Sequence, residues 1–369
     1  MKSQILKTGD ELLYYNDSIV LLFKGKRKVL STSGYNGGYS EDLQAVYNHD
    51  LSLNKTQQCN LTAENYNEYM QNMSLIIGLN PEKVSAMGTT AQMRNAAVVS
   101  MDYEQLNVTA VVTGGVETNA GRAGDFAKYF LTEKKQTLSG TINIILIINA
   151  DMSKGAITRA LVTCTEAKTA ALQELMVGSK YSKGLATGTG TDQTIIVANP
   201  DSSLYFGSAG KHQKIGELIG KTVITAVKEA ISKQSNRTYE TEHNLMRRLN
   251  RFGISEKTVF NKYKELNSQN SADESLFNEN LLKITSLPDI FTYGILYIHL
   301  VDEYLWKLIS FEETKQTALE LINSLARKLE LNTEFEVSKN IEDMKEIEYL
   351  LALAVKYNTG KTKIGNSLL

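Results

Sequence analysis

Residues 140–175 read GTINIILIINADMSKGAITRALVTCTEAKTAALQEL. The first part is a short apolar run rich in isoleucine, which predicts a buried strand over residues 142–149. Asp151 or Ser153 then caps a long helix that ends near Leu175. Within it Ala156, Ala160, Cys164, Ala167, Ala171 and Leu175 recur at helical spacing. Small residues along one side imply close approach to a neighbour, and they make Cys164 a packed residue rather than a reactive one. A buried strand leading into a helix with a small-residue face predicts an α/β architecture.

The same alternation extends outward in both directions. Downstream, residues 184–198 read GLATGTGTDQTIIVA: a Gly/Thr loop, then a strand, with Asp192 just ahead of it. A further helix is expected from residue 211, with Gly216 and Gly220 on one face suited to tight packing on the sheet. Upstream, strands are expected over residues 84–88, 96–101 and 108–114, and an amphipathic helix over 62–78. Earlier still, residues 18–23 and 28–32 read as strands joined by the Lys24-Gly25-Lys26 turn. Beyond about residue 235 glycine becomes scarce and Leu, Lys, Glu and Asn dominate. The expected organisation is therefore a layered sheet with flanking helices over residues 1–235, then an all-helical region over 236–369.

Composition narrows the classes of function. Forty basic and 41 acidic residues leave a formal net charge of −1, so nothing global calls for nucleic acid or an anionic membrane. Residues 244–266 resemble helix, turn and helix, but any helical hairpin does so, and nucleic acid is not the expected partner. The two cysteines, Cys59 and Cys164, form no metal or disulfide spacing, and no histidine pairs closely with another or with a cysteine. No metal site is expected. The Gly-rich loops match neither the dinucleotide fingerprint nor the P-loop. The first residues lack a signal-like apolar core, and the apolar stretch 290–301 is too short to span a bilayer, so a cytoplasmic protein is expected.

Five small polar loops punctuate the first 235 residues: SGYNGG at 33–38, TGG at 113–115, NAGRAGD at 119–125, SGTIN at 139–143 and ATGTGTD at 186–192. Ligands of α/β proteins sit in crevices at strand ends. The loops at 33–39, 113–125 and 186–192 are accordingly expected to meet in one cleft near Thr141 and Asn143. Each loop taken alone reads equally as an ordinary turn.

Together these pieces resemble the adenosylcobinamide amidohydrolases, the CbiZ-type corrinoid-salvage enzymes. STSGYNGG, TGGVETNAGRAGD, GTINIILIIN, TEAKTAAL, ATGTGTD and GKHQKIGELIG occur in that family's order, from about residue 28 to 230. The resemblance implies hydrolysis of the amide joining aminopropanol to a corrinoid propionyl side chain. The corrinoid is then substrate, no cofactor is implied, and the C-terminal helices are an accessory region available for assembly or a protein partner. A corrinoid-binding sensor or carrier on the same fold is the alternative.

A bulky, amide-fringed macrocycle suits loops of Gly, Thr and Asn. The substrate-binding candidates are Tyr35, Asn36, Gly37, Gly38, Gly114, Gly115, Asn119, Arg122, Asp125, Thr187, Gly188, Thr189, Gly190, Thr191, Lys211 and His212. Amide hydrolysis needs a nucleophile, an oxyanion holder and a proton donor for the leaving nitrogen. Thr141, after Gly140 at a strand start, is one nucleophile candidate. The spot resembles the site where β-aminopeptidases and ornithine acetyltransferases cleave their own chain. In an undivided chain its base is Lys168, Glu166 or His212. In the rival scheme water attacks, Asp192 or Glu166 is the base, and Asn36, Asn143 or a loop N–H holds the oxyanion. Arg122 and Asp125 read equally as a local ion pair that fixes their loop.

Overall fold

Residues Ile142–Ile148 form a strand buried on both faces, which is why its sequence is apolar throughout rather than alternating. The computed structural model describes residues 2–52, 63–127, 140–267 and 273–361. In chain order its elements are β1 (Lys2–Ile5), β2 (Glu11–Tyr15), β3 (Ser18–Leu22), β4 (Lys28–Ser31), β5 (Gly38–Ser40), β6 (Ala45–Asp50), α1 (Ala63–Ile76), β7 (Val84–Thr89), β8 (Ala97–Tyr103), β9 (Leu106–Gly114), β10 (Ala120–Gly121), β11 (Ile142–Ile148), β12 (Asp151–Met152), α2 (Lys154–Glu174), β13 (Gly188–Thr189), β14 (Gln193–Ala198), β15 (Tyr205–Phe206) and α3 (Lys214–Ser235). Seven further helices follow: α4 (Tyr239–Glu242), α5 (Leu245–Leu249), α6 (Glu256–Leu266), α7 (Glu274–Thr285), α8 (Pro288–Leu305), α9 (Phe311–Lys328) and α10 (Lys345–Lys361). The chain divides into two units, Met1–Arg237 and Thr238–Leu369.

The first unit is α/β and is built on two mixed sheets. One has the order β1-β2-β3-β6-β7, the other β5-β4-β14-β11-β9-β8. Side chains alternate between faces along a strand, and β11 shows the consequence. Its Ile145 and Ile147 meet Leu12, Ile19, Leu21, Val46 and Met87 of the five-stranded sheet. Ile142, Ile144, Leu146 and Ile148 lie instead with the apolar side chains of α2 and α3. On the outer face of the five-stranded sheet, Tyr66 and Met70 of α1 pack on Val20, Ala45 and Tyr47. Four layers result: α1, five strands, six strands, and the α2–α3 pair.

Ala156, Ala160, Cys164, Ala167 and Ala171 are the buried face of α2, as their spacing predicts. Gly216 is tightly enclosed by the Ala209–Gly210 backbone, whereas a side chain at Gly220 would meet open space; only the first of the two expected glycines packs closely. The expected continuity of residues 18–23 with 28–32 also needs correction. β3 pairs with β2 and β6, and β4 pairs with β14 and β5, so the turn between them carries the chain from one sheet to the other. A buried ion pair stands at the crossing: Arg27 donates to both carboxylate oxygens of Asp10, at 2.8 and 3.0 Å. Asp10 also accepts from the Lys24 N–H.

The second unit is all helical, with a core of Leu245, Phe252, Val259, Tyr297, Ile322 and Leu351 among others. Its helix–turn–helix over residues 244–266 turns at Gly253, in the left-handed conformation with φ +85°. Two of its arginines are engaged by carboxylates of the same unit: Arg247 on Glu242, and Arg251 on both oxygens of Asp302. No single described helix is long and apolar enough to cross a membrane. α7 and α8 carry a comparable apolar content only together, across a 79° bend.

Candidate active site

β11 runs parallel to β14 and antiparallel to β9, and β14 runs antiparallel to β4. The starts of β11 and β14 therefore share one end of the six-stranded sheet with the ends of β4 and β9. That end carries Thr141, Asp192, Gly114 and Gly115. The Gly115 N–H donates to the Thr141 carbonyl at 3.0 Å, which ties the 113–115 loop to the strand start.

Asp192 is the anchor of this end. Its carboxylate accepts from the Ile142 N–H at 2.9 Å, the Thr189 N–H at 3.0 Å and the Thr189 hydroxyl at 2.6 Å. Lys168 reaches it from α2 to complete an ion pair whose side chains are only 11% and 10% exposed. Taking both charges out of water is costly, and the four donors offset that cost. Gly188 makes the pair possible: a Cβ there would collide with the carboxylate and lie 2.8 Å from Lys168 Nζ. Within ATGTGTD, Thr189 thus turns its hydroxyl and N–H inward onto the loop's own aspartate.

Thr141 lies beside this anchor and is 4% exposed. Its hydroxyl is 2.5 Å from that of Thr191. The carbonyl of Gly140 accepts from Asn119 Nδ2 at 3.2 Å and from the Thr191 hydroxyl at 3.3 Å, and the Gly140 N–H donates to Thr90 Oγ1. Gly140 has φ +75°, where a side chain is strained. A Cβ at Gly190 would lie 3.2 Å from Asn119 Oδ1, so this glycine lets the 186–192 loop close on Asn119. The amide oxygen of Asn119 accepts from the Tyr181 hydroxyl at 2.9 Å.

Asn143 points from β11 toward the other sheet. Its Nδ2 donates to Asn48 Oδ1 at 2.8 Å and to the Gly88 carbonyl at 3.0 Å, and Asn48 in turn donates to Thr113. These two acceptors fix the amide orientation, because the reverse would set oxygen against oxygen. Asn143 Oδ1 is buried with no hydrogen-bond partner among the described residues.

The 119–125 and 186–192 loops are joined directly, through the antiparallel register Ala120↔Thr189 and Gly121↔Gly188. Thr187 accepts from the Ala123 N–H, and its carbonyl accepts from Thr169 of α2. Asp125 accepts from the Arg122 N–H at 2.7 Å and from the Ser179 hydroxyl at 2.5 Å. Burial opposes ionisation of Asp125, but the Ser179, Ser182 and Arg122 donors outweigh it and hold the carboxyl below its usual range. The Arg122 guanidinium donates to the Leu185 carbonyl, so the loop is fixed through the backbone of Arg122 and not only by charge.

The 33–39 loop leaves β4 at this same end, but its side chains turn toward the start of β7. Tyr35 donates to the Pro81 carbonyl, and Asn36 to those of Pro81 and Val84. Asn143 docks at Gly88, four residues further along the same strand, or about 13 Å at an extended rise. Gly37 folds against the Ser33 carbonyl and Gly38 has φ +91°, both serving the turn itself. Glu166 faces away from Lys168 and pairs with Lys211 at 2.9 Å on the exposed side. That hydrogen bond draws the Glu166 carboxyl below its usual range. His212 is exposed just before α3. Thr141, Asn143, Lys168 and Asp192 therefore gather at one sheet end with Asn119, Gly188, Thr189, Gly190 and Thr191, while Tyr35, Asn36, Glu166, Lys211 and His212 do not join them.

Asn48, Thr90 and Tyr181 are the neighbours that sequence reading missed. A signal existed for the first: AVYNHD at 45–50 ends an apolar strand on three polar residues. The next of these, His49, is buried between the Ser18 hydroxyl and the Tyr69 hydroxyl, at 2.8 and 3.0 Å. Burial pushes it down to about 4. Burial likewise pushes the Cys164 thiol up to about 12, so it packs and does not react at neutral pH. Among the described residues no three His, Cys, Asp or Glu side chains are grouped to hold a metal ion.

The family model described as "Adenosylcobinamide amidohydrolase" matches residues 4–239, which takes in the whole of this site. An uncharacterized protein, MJ1613, of Methanocaldococcus jannaschii is 36% identical over 238 residues, covering 61% of this chain and 89% of that protein. A protein named adenosylcobinamide amidohydrolase from Methanosarcina mazei is 26% identical over 226 residues, covering 59% of this chain and 96% of that one. A solved structure, that of the PH0078 protein from Pyrococcus horikoshii OT3, aligns over 60% of this chain and 77% of its own at 14% identity and a TM-score of 0.29.

Proposed function

This chain belongs to the adenosylcobinamide amidohydrolase family, and from that premise we propose that it hydrolyses the amide linking aminopropanol to a corrinoid propionyl side chain. Adenosylcobinamide and water then give adenosylcobyric acid and 1-amino-2-propanol, a cytoplasmic salvage reaction in which the corrinoid is substrate. The observation that supports this most directly is the Thr141 hydroxyl seated against Thr191, beside the Asn119 amide. Thr141 Oγ1 adds to the amide carbon. Its proton passes by way of the Thr191 hydroxyl to the leaving nitrogen as the C–N bond breaks. Water then cleaves the resulting ester and restores Thr141. Asn119 and Asn143 supply amide groups at the reacting end.

Asp192 is assigned to holding the strand starts and Lys168 rather than to taking a proton, since its carboxylate already accepts from four donors. Glu166 is occupied by Lys211 on the exposed side, which disfavours it as the base for an attacking water. No nicotinamide, ATP or resident metal enters the proposed reaction. The test is mass-resolved product analysis of purified protein on adenosylated and non-adenosylated corrinoids, with and without chelator. Aminopropanol release supports the hydrolase. Corrinoid binding with no release from any corrinoid defeats it in favour of a carrier or sensor. Intact mass of the active protein decides whether Thr141 acts within an undivided chain or from a new N-terminus.

A further inference from the structure

Tyr181 stands out at this site because it is 47% exposed while Thr141 is 4% exposed. It is nonetheless anchored. The ring lies on Gly121, where a Cβ would be 3.3 Å from Tyr181 Cδ2. Its N–H donates to Ser179 Oγ, whose hydroxyl donates to Asp125, and the neighbouring Lys180 N–H donates to the Ala120 carbonyl. Phe126, next to Asp125 in the partnered loop, is 87% exposed. The two exposed rings on these joined loops offer apolar surface of the kind that the face of an amide-rimmed macrocycle can pack on.

The hydroxyl of Tyr181 has a second task. It donates to Asn119 Oδ1 at 2.9 Å, and this leaves Asn119 Nδ2 directed at the Gly140 carbonyl, 3.2 Å away, and at Thr191 Oγ1, 3.5 Å away. An amide has two nearly isosteric ends that differ only in donating or accepting. The Gly140 carbonyl and the phenol thus hold the Asn119 amide from its two ends, and without the phenol only the contacts on the Nδ2 side resist its rotation. We propose that Tyr181 is a positioning residue of the amide hydrolysis, its ring meeting the corrinoid and its hydroxyl orienting Asn119 on the Gly140–Thr141 segment. The inference rests on the reading of Thr141 given above.

The experiment uses the full chain and separates ring from hydroxyl. Tyr181→Phe and Tyr181→Ala are assayed for aminopropanol release from adenosylcobinamide. Equilibrium dialysis of adenosylcobinamide is run on each in a Thr141→Ala background. Tyr181→Phe is expected to lower kcat about tenfold, the scale of one hydrogen bond, with KM and Kd within about twofold of wild type. Tyr181→Ala is expected to show the same kcat loss and to raise KM and Kd about tenfold more. In a Tyr181→Phe/Asn119→Ala double variant, kcat is expected no lower than with Asn119→Ala alone, because the phenol acts only through that amide. A wild-type kcat in Tyr181→Phe, unchanged affinity in Tyr181→Ala, or additive losses in the double variant would each overturn the proposal. Wild-type protein that releases no aminopropanol overturns the hydrolase reading instead, before any Tyr181 variant is considered.

Discussion

The hydroxyls of Thr141 and Thr191 lie 2.5 Å apart, the closest approach of two uncharged side chains at the sheet end that carries the candidate site. If Thr141 attacks the amide, Thr141→Ala is expected to lower kcat by roughly ten-thousandfold and leave corrinoid Kd within a few-fold. Thr141→Ser keeps the hydroxyl and is expected to retain measurable turnover. Thr191→Val keeps the shape and is expected to cost about 10²–10⁴-fold in kcat. Steady-state kinetics with equilibrium dialysis checks all three, and full activity in Thr141→Ala would remove it as nucleophile.

Removing one member of the buried Lys168–Asp192 pair leaves the other charge uncompensated, at a cost of about 3–5 kcal/mol. Asp192→Ala is expected to be the more damaging change, because it also frees the Ile142 and Thr189 donors. Lys168→Met should cost less. Urea denaturation followed on the N-terminal unit reads the order; equal midpoints for both variants would contradict it.

Gly188→Ala inserts a methyl group where the Asp192 carboxylate and Lys168 Nζ already stand. The expected loss is about 1–3 kcal/mol of stability, the usual range for overpacking, together with reduced turnover. Gly220→Ala, placed in open space on a helix, is the matched control and is expected to be neutral or slightly stabilising. Thermal melting of the two variants side by side decides the point.

His49 is held down to about 4 by burial, against an ordinary value near 6.5. Above pH 6.5 both folded and unfolded states are neutral and no penalty arises. Between pH 6.5 and 4 the unfolded chain takes up the proton and the folded one does not, so stability falls as pH falls, by up to about 3 kcal/mol. His49→Gln, which cannot titrate, is expected to flatten that part of the stability–pH curve. An unchanged slope in the variant would remove His49 as its source.

The family match ends near the boundary of the first unit, and the Methanosarcina mazei relative is 96% covered by the aligned stretch. Residues 1–237, which carry their own apolar cores, are expected to fold and turn over corrinoid without the helical unit. Circular dichroism and the aminopropanol assay on the truncated chain check this. A folded but inactive product would make residues 238–369 part of the reaction.

Periodicity made the elements legible. Residues 142–149, 108–114 and 84–88 read as strands, and 153–175 as a helix with a small-residue face, because burial writes its pattern locally. The split into two sheets was not legible, since Ile145 and Ile144 are equally apolar although one faces the other sheet and the other faces a helix. At the site, the Gly/Thr/Asn loops were visible, and so was the candidacy of Thr141, Lys168 and Asp192. The pairing of Lys168 with Asp192 was not, because it joins residues 24 positions apart through a contact only the fold creates. Tyr35 and Asn36 lie in a loop of the same composition as the others, yet their partners are Pro81 and Val84. Composition marks a turn without saying which strand receives its side chains.

The crossing at Arg27 bears on how the N-terminal unit acquires its structure in time. The chain enters the six-stranded sheet at β4, returns to the other at β6, and leaves it again after β7. Neither sheet is therefore a contiguous stretch of chain that could assemble first and wait for its partner. β4 must find β14, more than 160 residues later in the chain, as the register Ile195↔Ser31 records. Non-local pairing of this kind slows folding, because loop-closure entropy must be met before the contacts form. The interleaving also makes the two sheets one cooperative block, so their amide protons are expected to exchange through a shared opening event rather than sheet by sheet.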